Sequence, residues 1–254
     1  PIDEDTLAYF GREIERVRQS GRFVMAKFGG TALGDASAIP GMQLKDPKGI
    51  RDIEEWYIST AIRQDYLHAI FDRQTQIGLE NLKKIHRVVG DDVDAMTVCG
   101  TDFGAQNGPL IDPAVFRELF LPYYQRITDW IHAETRWRVF KHTDGGIEPF
   151  MEDFIRAGFD IINPVQVSAA GMDARTLKEK YGDRVSFWGG GVDTQKTLPF
   201  GTPDQVRREV LERCSIFSRN GGYVFNAIHN VQAKTPIENV VAMIEAVHEF
   251  NGER

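Results

Sequence analysis

Four side chains of this sequence, His142, Asp144, His229 and Asp102, have the types and placing that chemistry needs. In His142-Thr143-Asp144 an imidazole and a carboxylate stand two residues apart at the end of the apolar run Arg138 to His142. In extended chain, residues i and i+2 project to the same side, so both can reach one ligand. The pair could bind a metal ion or act as a base with its orienting acid. Equally, Asp144 could cap a loop through its own backbone, leaving His142 a hydrogen-bonded strand residue. His229 follows the last apolar run among Asn226, Asn230 and Gln232, a density of amides unsuited to a core, and is expected to be a ligand or proton donor. Asp102, directly after another apolar run, offers a carboxylate to a cation, a base or substrate N–H groups, unless it only forms a turn. Gly145-Gly146 would let a ligand approach the backbone closely, and Gly189-Gly190-Gly191-Val192-Asp193 could bare its amides to an anion.

The elements that must hold these residues follow from periodicity. Short β-rich runs predict strands over Phe23 to Phe28, Ala95 to Cys99, Arg138 to His142, Ile161 to Asn163, Val185 to Trp188 and Tyr223 to Ala227. Between them apolar residues return at helical spacing, as in Val115, Phe116, Leu119, Phe120, Tyr123, Ile127 and Ile131. Thr202-Pro203-Asp204-Gln205 and Thr235-Pro236-Ile237-Glu238 each read as a capping Thr, Pro in the first turn and Gln or Glu three residues on. Asp112-Pro113 introduces the Val115 helix, and Pro122 predicts a kink or break near Leu121. Strands alternating with helices specify α/β architecture with a parallel sheet, whose ligands bind beyond the C-terminal ends of the strands. Polar clusters follow five of the strands, at 101–104, 142–146, 163–166, 189–195 and 226–232. The stretch Gly29 to Pro47 reads as a long loop or a lid over one end.

The bulk composition narrows the classes. A chain of 254 residues, 42% hydrophobic and 26% charged, suits one large soluble domain. Its net charge of -7 argues against a phosphate-binding face and hence against nucleic acid, and no apolar run approaches a membrane span. Cys99 and Cys214 both sit in apolar segments and read as core residues, so a reducing compartment, the cytoplasm, is expected. No signal peptide is read at Pro1-Ile2-Asp3-Glu4, and the missing initiator Met leads us to expect an incomplete N-terminal end. His68, His86, His132 and His248 fall among charged neighbours in helical stretches and read as solvated. Trp56, Trp130, Phe116 and Phe120 read as helix-layer packing, with Trp188 beside the glycine run as the exception to watch.

With these residues placed, the chain resembles the uroporphyrinogen decarboxylase superfamily, which includes corrinoid-dependent methyltransferases. The resemblance runs from about Phe23 onward and rests on motifs in order. They are Asp102-Phe103-Gly104-Ala105-Gln106, Asp112-Pro113, Leu121-Pro122-Tyr123, His142-Thr143-Asp144-Gly145, Gly190-Gly191-Val192-Asp193-Thr194, and His229-Asn230-Val231-Gln232 before Thr235-Pro236-Ile237-Glu238-Asn239. It implies a TIM (β/α)8 barrel, a single domain over 1–254; since six strands are read where eight are needed, a barrel lacking N-terminal elements in this chain is expected, with an open α/β sheet as the alternative.

The resemblance also implies two chemistries. In the methyltransferase branch a His-x-Cys pair and a later Cys hold zinc. Here those positions read His142, Asp144 and His229, a donor set suited to zinc or a harder divalent ion. In the decarboxylase branch no metal is needed and the last His assists; His229 matches it, whereas the arginine-rich N-terminal segment has no counterpart, Arg12, Arg16, Arg18 and Arg22 lying on what reads as a solvated helix. The leading expectation is methyl transfer or demethylation of a small substrate with a corrinoid protein as partner, and a homodimer is an assembly to expect. Decarboxylation of a porphyrinogen-like polyacid is the alternative, and a ligand-binding barrel without catalysis is the third. Catalytic roles fall to Asp102, Gln106 and His229; metal ligation to His142, Asp144 and His229; substrate binding to Asn163, Gln166, Asp193, Asn226 and Gln232.

Overall fold

A computed structural model describes residues 2–35, 39–42 and 44–253. In chain order the elements are α1 (Glu4–Arg18), β1 (Met25–Ala26), α2 (Ile53–Ile62), α3 (Gln64–Val89), β2 (Ala95–Cys99), β3 (Gly104–Ala105), β4 (Gly108–Pro109) and α4 (Pro113–Val115). A π turn (Phe116–Phe120) leads into α5 (Leu121–Glu134), followed by β5 (Arg138–His142), a 3₁₀ turn (Glu148–Phe150), α6 (Met151–Arg156) and β6 (Ile161–Asn163). The remainder is α7 (Ala174–Tyr181), β7 (Ser186–Trp188), α8 (Thr197–Phe200), α9 (Pro203–Phe217), β8 (Tyr223–Val224) and α10 (Ile237–Asn251). The chain forms two compact units, one of Pro1–Asp102, Leu110–His142 and Glu152–Asp160, the other of Phe103–Pro109, Thr143–Met151 and Ile161–Arg254.

The first unit pairs β1, β2 and β5 in parallel. Its long helix α3 buries Leu67, Phe71, Thr75, Gly78, Leu82, Ile85 and Val89, a residue every three or four positions, which is the stripe a helix needs to lie on a core. Phe71 meets the rings of Phe120 and Tyr123 at 5.2 and 5.8 Å, so α3 packs on the helix read from Val115 to Ile131. That helix carries the expected interruption: the N–H of Leu121 reaches back to Phe116, and the π turn ends where Pro122 supplies no donor. Asp112 accepts from the amide of Ala114 as its cap.

The strand read over Phe23 to Phe28 is shorter than expected. Only Met25–Ala26 is strand, because Gly29 and Gly30 take positive φ and Phe28 turns onto the rings of Phe10 and Trp137. In the stretch 29–47 the described residues form no helix or strand, in keeping with a long loop. Thr31, Leu33 and Ile39 are buried and Thr101 donates to the carbonyl of Leu33 at 2.8 Å, so these positions belong to the core instead of a free flap. The part of the expected lid at 36–38 and 43 lies outside the described residues. Arg12, Arg16 and Arg18 lie on α1, Arg16 and Arg18 paired with Glu13 and Glu15, while Arg22 falls beyond its end.

The second unit pairs β6, β7 and β8 in parallel. The run Val185 to Trp188 begins as strand one residue late, at Ser186, and the run Tyr223 to Ala227 is strand only to Val224. Backbone bonds nevertheless continue beyond it, from Gly191 to the carbonyl of Asn226 and from Ile228 to that of Val192. Val192, Leu198, Val206, Val210, Cys214, Ala227 and Ala246 form its core, which places Cys214 as read from sequence; the Cys99 side chain lies outside the described residues. Burial pushes the Cys214 thiol up to about 11.

Thr202 and Gln205 form the capping box read from sequence. Thr235 does not cap its helix: α10 starts after Pro236, and the Thr235 hydroxyl donates back to the carbonyl of Gln232 at 2.8 Å. Buried Asn239 instead ties α10 down by donating to the carbonyls of Leu198 and Gly201. No described helix is long and apolar enough to cross a membrane.

Candidate active site

In the second unit the segment after β5 is built by close backbone contact. Thr143 is buried; its amide donates to the carbonyl of Asn163 at 2.9 Å and its hydroxyl accepts from the amide of Phe103 at 3.0 Å. The β3–β4 hairpin lies against the next residues, with the amide of Gly146 donating to the carbonyl of Ala105 at 2.9 Å. Gly145 has φ +83, and a Cβ there would stand 2.3 Å from the carbonyl carbon of Gly104. The glycine pair thus admits the hairpin's backbone, a different use from the ligand approach read from sequence. The hairpin itself was not read as strand; its available signal was Asn107-Gly108, with Gly108 at φ +138.

This framework aims Asp144 into a cavity of about 330 Å³ lined by Gly104, Ala105, Gln106, Gln166, Thr194, Gln195 and His229, among others. His229 is positioned by buried Ile228, whose amide is bonded to Val192. The His229 Nε2 and Asp144 Oδ2 are 3.5 Å apart, with the two side chains 42% and 30% exposed. Gln166 and Gln106 are joined amide to amide at 2.7 Å.

Four expected site residues of this unit do not line the cavity. Asn163 is buried and donates to the carbonyl of Trp188. Asp193 is buried and its Oδ1 accepts from the amides of Gln195 and Lys196 at 2.7 and 3.1 Å, a turn-capping geometry. Asn226 donates to the carbonyl of Ala227, and Gln232 to that of Asn230. The expectation of free amides along 189–191 is overturned: they donate to the carbonyls of Val224, Pro164 and Asn226. Thr194 and Gln195, read from sequence only as part of the polar cluster 189–195 and given no role of their own, do line the cavity.

In the first unit, His142 ends β5 and is half-buried. Asp102 is also half-buried; burial first and then its charge raise the pKa of the Tyr57 phenol. The four helical histidines are not merely solvated. His68 bonds the Tyr123 hydroxyl at 2.9 Å, His132 meets Asp160 at 2.9 Å, His248 meets Glu253 at 2.7 Å, and His86 packs edge-on to Trp137.

The family model described as uroporphyrinogen decarboxylase (URO-D) matches residues 43–250. A uroporphyrinogen decarboxylase of Methylococcus capsulatus is 30% identical over 182 residues, covering 68% of this chain and 48% of that protein. One of Coxiella burnetii is 26% identical over 152 residues, 57% of this chain and 38% of that protein. The chain spans about half the length, or less, of these curated relatives. Among solved structures, a methyltransferase from Methanosarcina mazei superposes with a TM-score of 0.63 at 17% identity, over 95% of this chain and 64% of that one. The fold is therefore the α/β barrel type to which that enzyme belongs, covered in part. The chain belongs to the uroporphyrinogen decarboxylase family.

Proposed function

We propose that this chain is the catalytic barrel of an enzyme that transfers or removes the methyl group of a small substrate, working with a corrinoid-carrying protein and a divalent cation, zinc in the first place. The ligands would be His142, Asp144 and His229. The observation that carries this reading is the 3.5 Å between Asp144 Oδ2 and His229 Nε2. A direct N–H···O bond would sit at about 2.7–3.2 Å. Two ligand atoms on one tetrahedral ion, with bonds of about 2.1 Å, stand about 3.4 Å apart. The donor set fits as well, an imidazole and a carboxylate at the edge of a polar cavity, with His142 two residues before Asp144 in the chain.

When bound, such an ion supplies Lewis-acid activation of the group that gives or receives the methyl. The protein's own residues do the rest. Asp144 and His229 offer a carboxylate and an imidazole to the cavity, and Gln106 and Gln166, which also line it, offer their amides. A cavity of about 330 Å³ suits a small molecule.

A second reading, decarboxylation of a porphyrinogen-like substrate with His229 as proton donor, is favoured by the names of the curated relatives. Metal content and two assays separate the readings. About one equivalent of metal, lost in Asp144→Ala and His229→Ala together with methyl transfer to a reduced corrinoid, supports the first. Metal-free protein that releases CO2 from uroporphyrinogen, and loses this with His229→Ala alone, puts the second in its place.

A further inference from the structure

Strand β5 carries a lysine that core packing does not explain. Lys141 is wholly buried between Phe140 and His142, in a run where Val139 is buried as well. A buried ammonium is costly unless hydrogen bonds replace its water, and a methionine of similar length would fill the space without that cost. The bonds are present: Nζ donates to the carbonyl of Thr101 at 2.6 Å and to the carbonyl of His142. Bonds from an ion to carbonyls are stronger than those between neutral groups.

These two bonds fall where the sheet stops holding the chain. The pairing of β2 with β5 slips in register between Thr97 and Cys99, and its last pair is Cys99 with Lys141. Gly100, Thr101 and Asp102 lie past the end of β2, so the ladder no longer fixes them against the end of β5. The Lys141 ammonium makes the join there instead. Thr101 is held by its side chain as well: it is buried, its hydroxyl donates to the carbonyl of Leu33 at 2.8 Å, and it accepts from the Tyr124 hydroxyl at 3.4 Å. The His142 ring lies against the same corner, since a Cβ on Gly100 would stand 3.9 Å from its Cδ2.

We infer that Lys141 is a positioning residue: by clamping the carbonyls of Thr101 and His142 it sets where the Asp102 carboxylate and the His142 imidazole stand. In taking His142 as a metal ligand, this rests on the proposed function. Asp102 directly follows the clamped Thr101 carbonyl. At His142 the bond to the residue's own carbonyl fixes its peptide plane, and with it the direction in which Cα presents the imidazole. Removing groups that orient metal ligands typically costs about 10- to 100-fold in metal affinity. A lysine that only packed the core would affect stability and leave the imidazole as it was.

The test uses the full chain with Lys141→Met and with Lys141→Gln, the second keeping a polar group in place should the first fail to fold. Zinc affinity is measured by competition with a chromophoric chelator, and the His142 ring is followed in long-range proton–nitrogen NMR spectra of the metal-free proteins. Wild type should show one sharp set of His142 signals, and the variants doubled or broadened ones with zinc affinity lower by at least about tenfold. Asp193→Ala, destabilised at a turn that Lys141 does not touch, should keep the wild-type affinity and signals. A folded Lys141 variant with a single sharp set of His142 signals would overturn the inference, whatever its affinity. Wild type that binds no zinc defeats the metal reading and leaves the His142 signals to decide the role of Lys141. Doubled His142 signals with undiminished zinc affinity keep Lys141 as a positioning residue and remove His142 from the ligand set.

Discussion

Two glycine-rich segments of the second unit, 143–146 and 189–195, look alike in sequence and do different work. Each follows a β-strand and each carries an aspartate just beyond or before its glycines. In the second, every glycine amide is bonded to a neighbouring carbonyl and Asp193 caps the turn from a buried position. In the first, the glycines admit a hairpin, and Asp144 is left half-exposed at the cavity beside His229. The glycine amides of both segments are bonded within the fold, and what separates the segments is the aspartate, buried under two amides at Asp193 and lining a cavity at Asp144.

The comparison breaks most sharply at Gly189. It has φ +135, and a Cβ there would lie 1.9 Å from the carbonyl oxygen of Pro164. Gly189→Ala is expected to cost more than about 4 kcal/mol, read as insoluble protein or a collapse of the urea midpoint. Gly145→Ala meets the hairpin instead of the sheet and should cost about 2 kcal/mol, with the site damaged more than the fold. A variant with native thermal midpoint and native metal content would show that the hairpin does not need to dock there.

The two aspartates sharpen the contrast. Asp193→Ala removes the acceptor of two backbone amides and should lower stability by about 1–2 kcal/mol while leaving metal content unchanged. Asp144→Ala should leave stability within about 0.5 kcal/mol and abolish both metal binding and turnover. Urea unfolding and metal analysis of the two proteins side by side check the pair, and exchanged phenotypes would reverse the assignment.

The smallest effect is at Glu148, in the 3₁₀ turn just after the first segment, which is anchored to α7. The hydrogen bond from Lys180 first, with Tyr181 adding to it, outweighs burial and holds this carboxyl below its ordinary value. A carboxylate depressed in the folded state stabilises the protein above its unfolded pKa, and that contribution is lost as pH falls through the folded one. The wild type should therefore lose slightly more stability than Glu148→Gln between pH 7 and pH 3. Parallel acid titrations of the two proteins measure the difference.

The sequence by itself determined the alternation of strands and helices, most of the core stripes, the interruption before Pro122, the Thr202 cap and the family, because periodicity, proline and capping are properties of neighbouring residues. It also picked out Asp144 and His229, since polar residues after strands are conspicuous against apolar runs. Only the tertiary structure decided which polar residues are bound up within the fold. Asn163, Asp193, Asn226 and the amides of 189–191 find partners whose distance along the chain no local pattern encodes, as when Asn163 reaches Trp188 or Gly191 reaches Asn226. The same is true of the direction of the Gln106–Gln166 pair, which is set by Gly145 at one end and Ser168 at the other. A hydrogen bond depends on where two groups meet in space, and for groups distant in sequence that meeting is a product of packing.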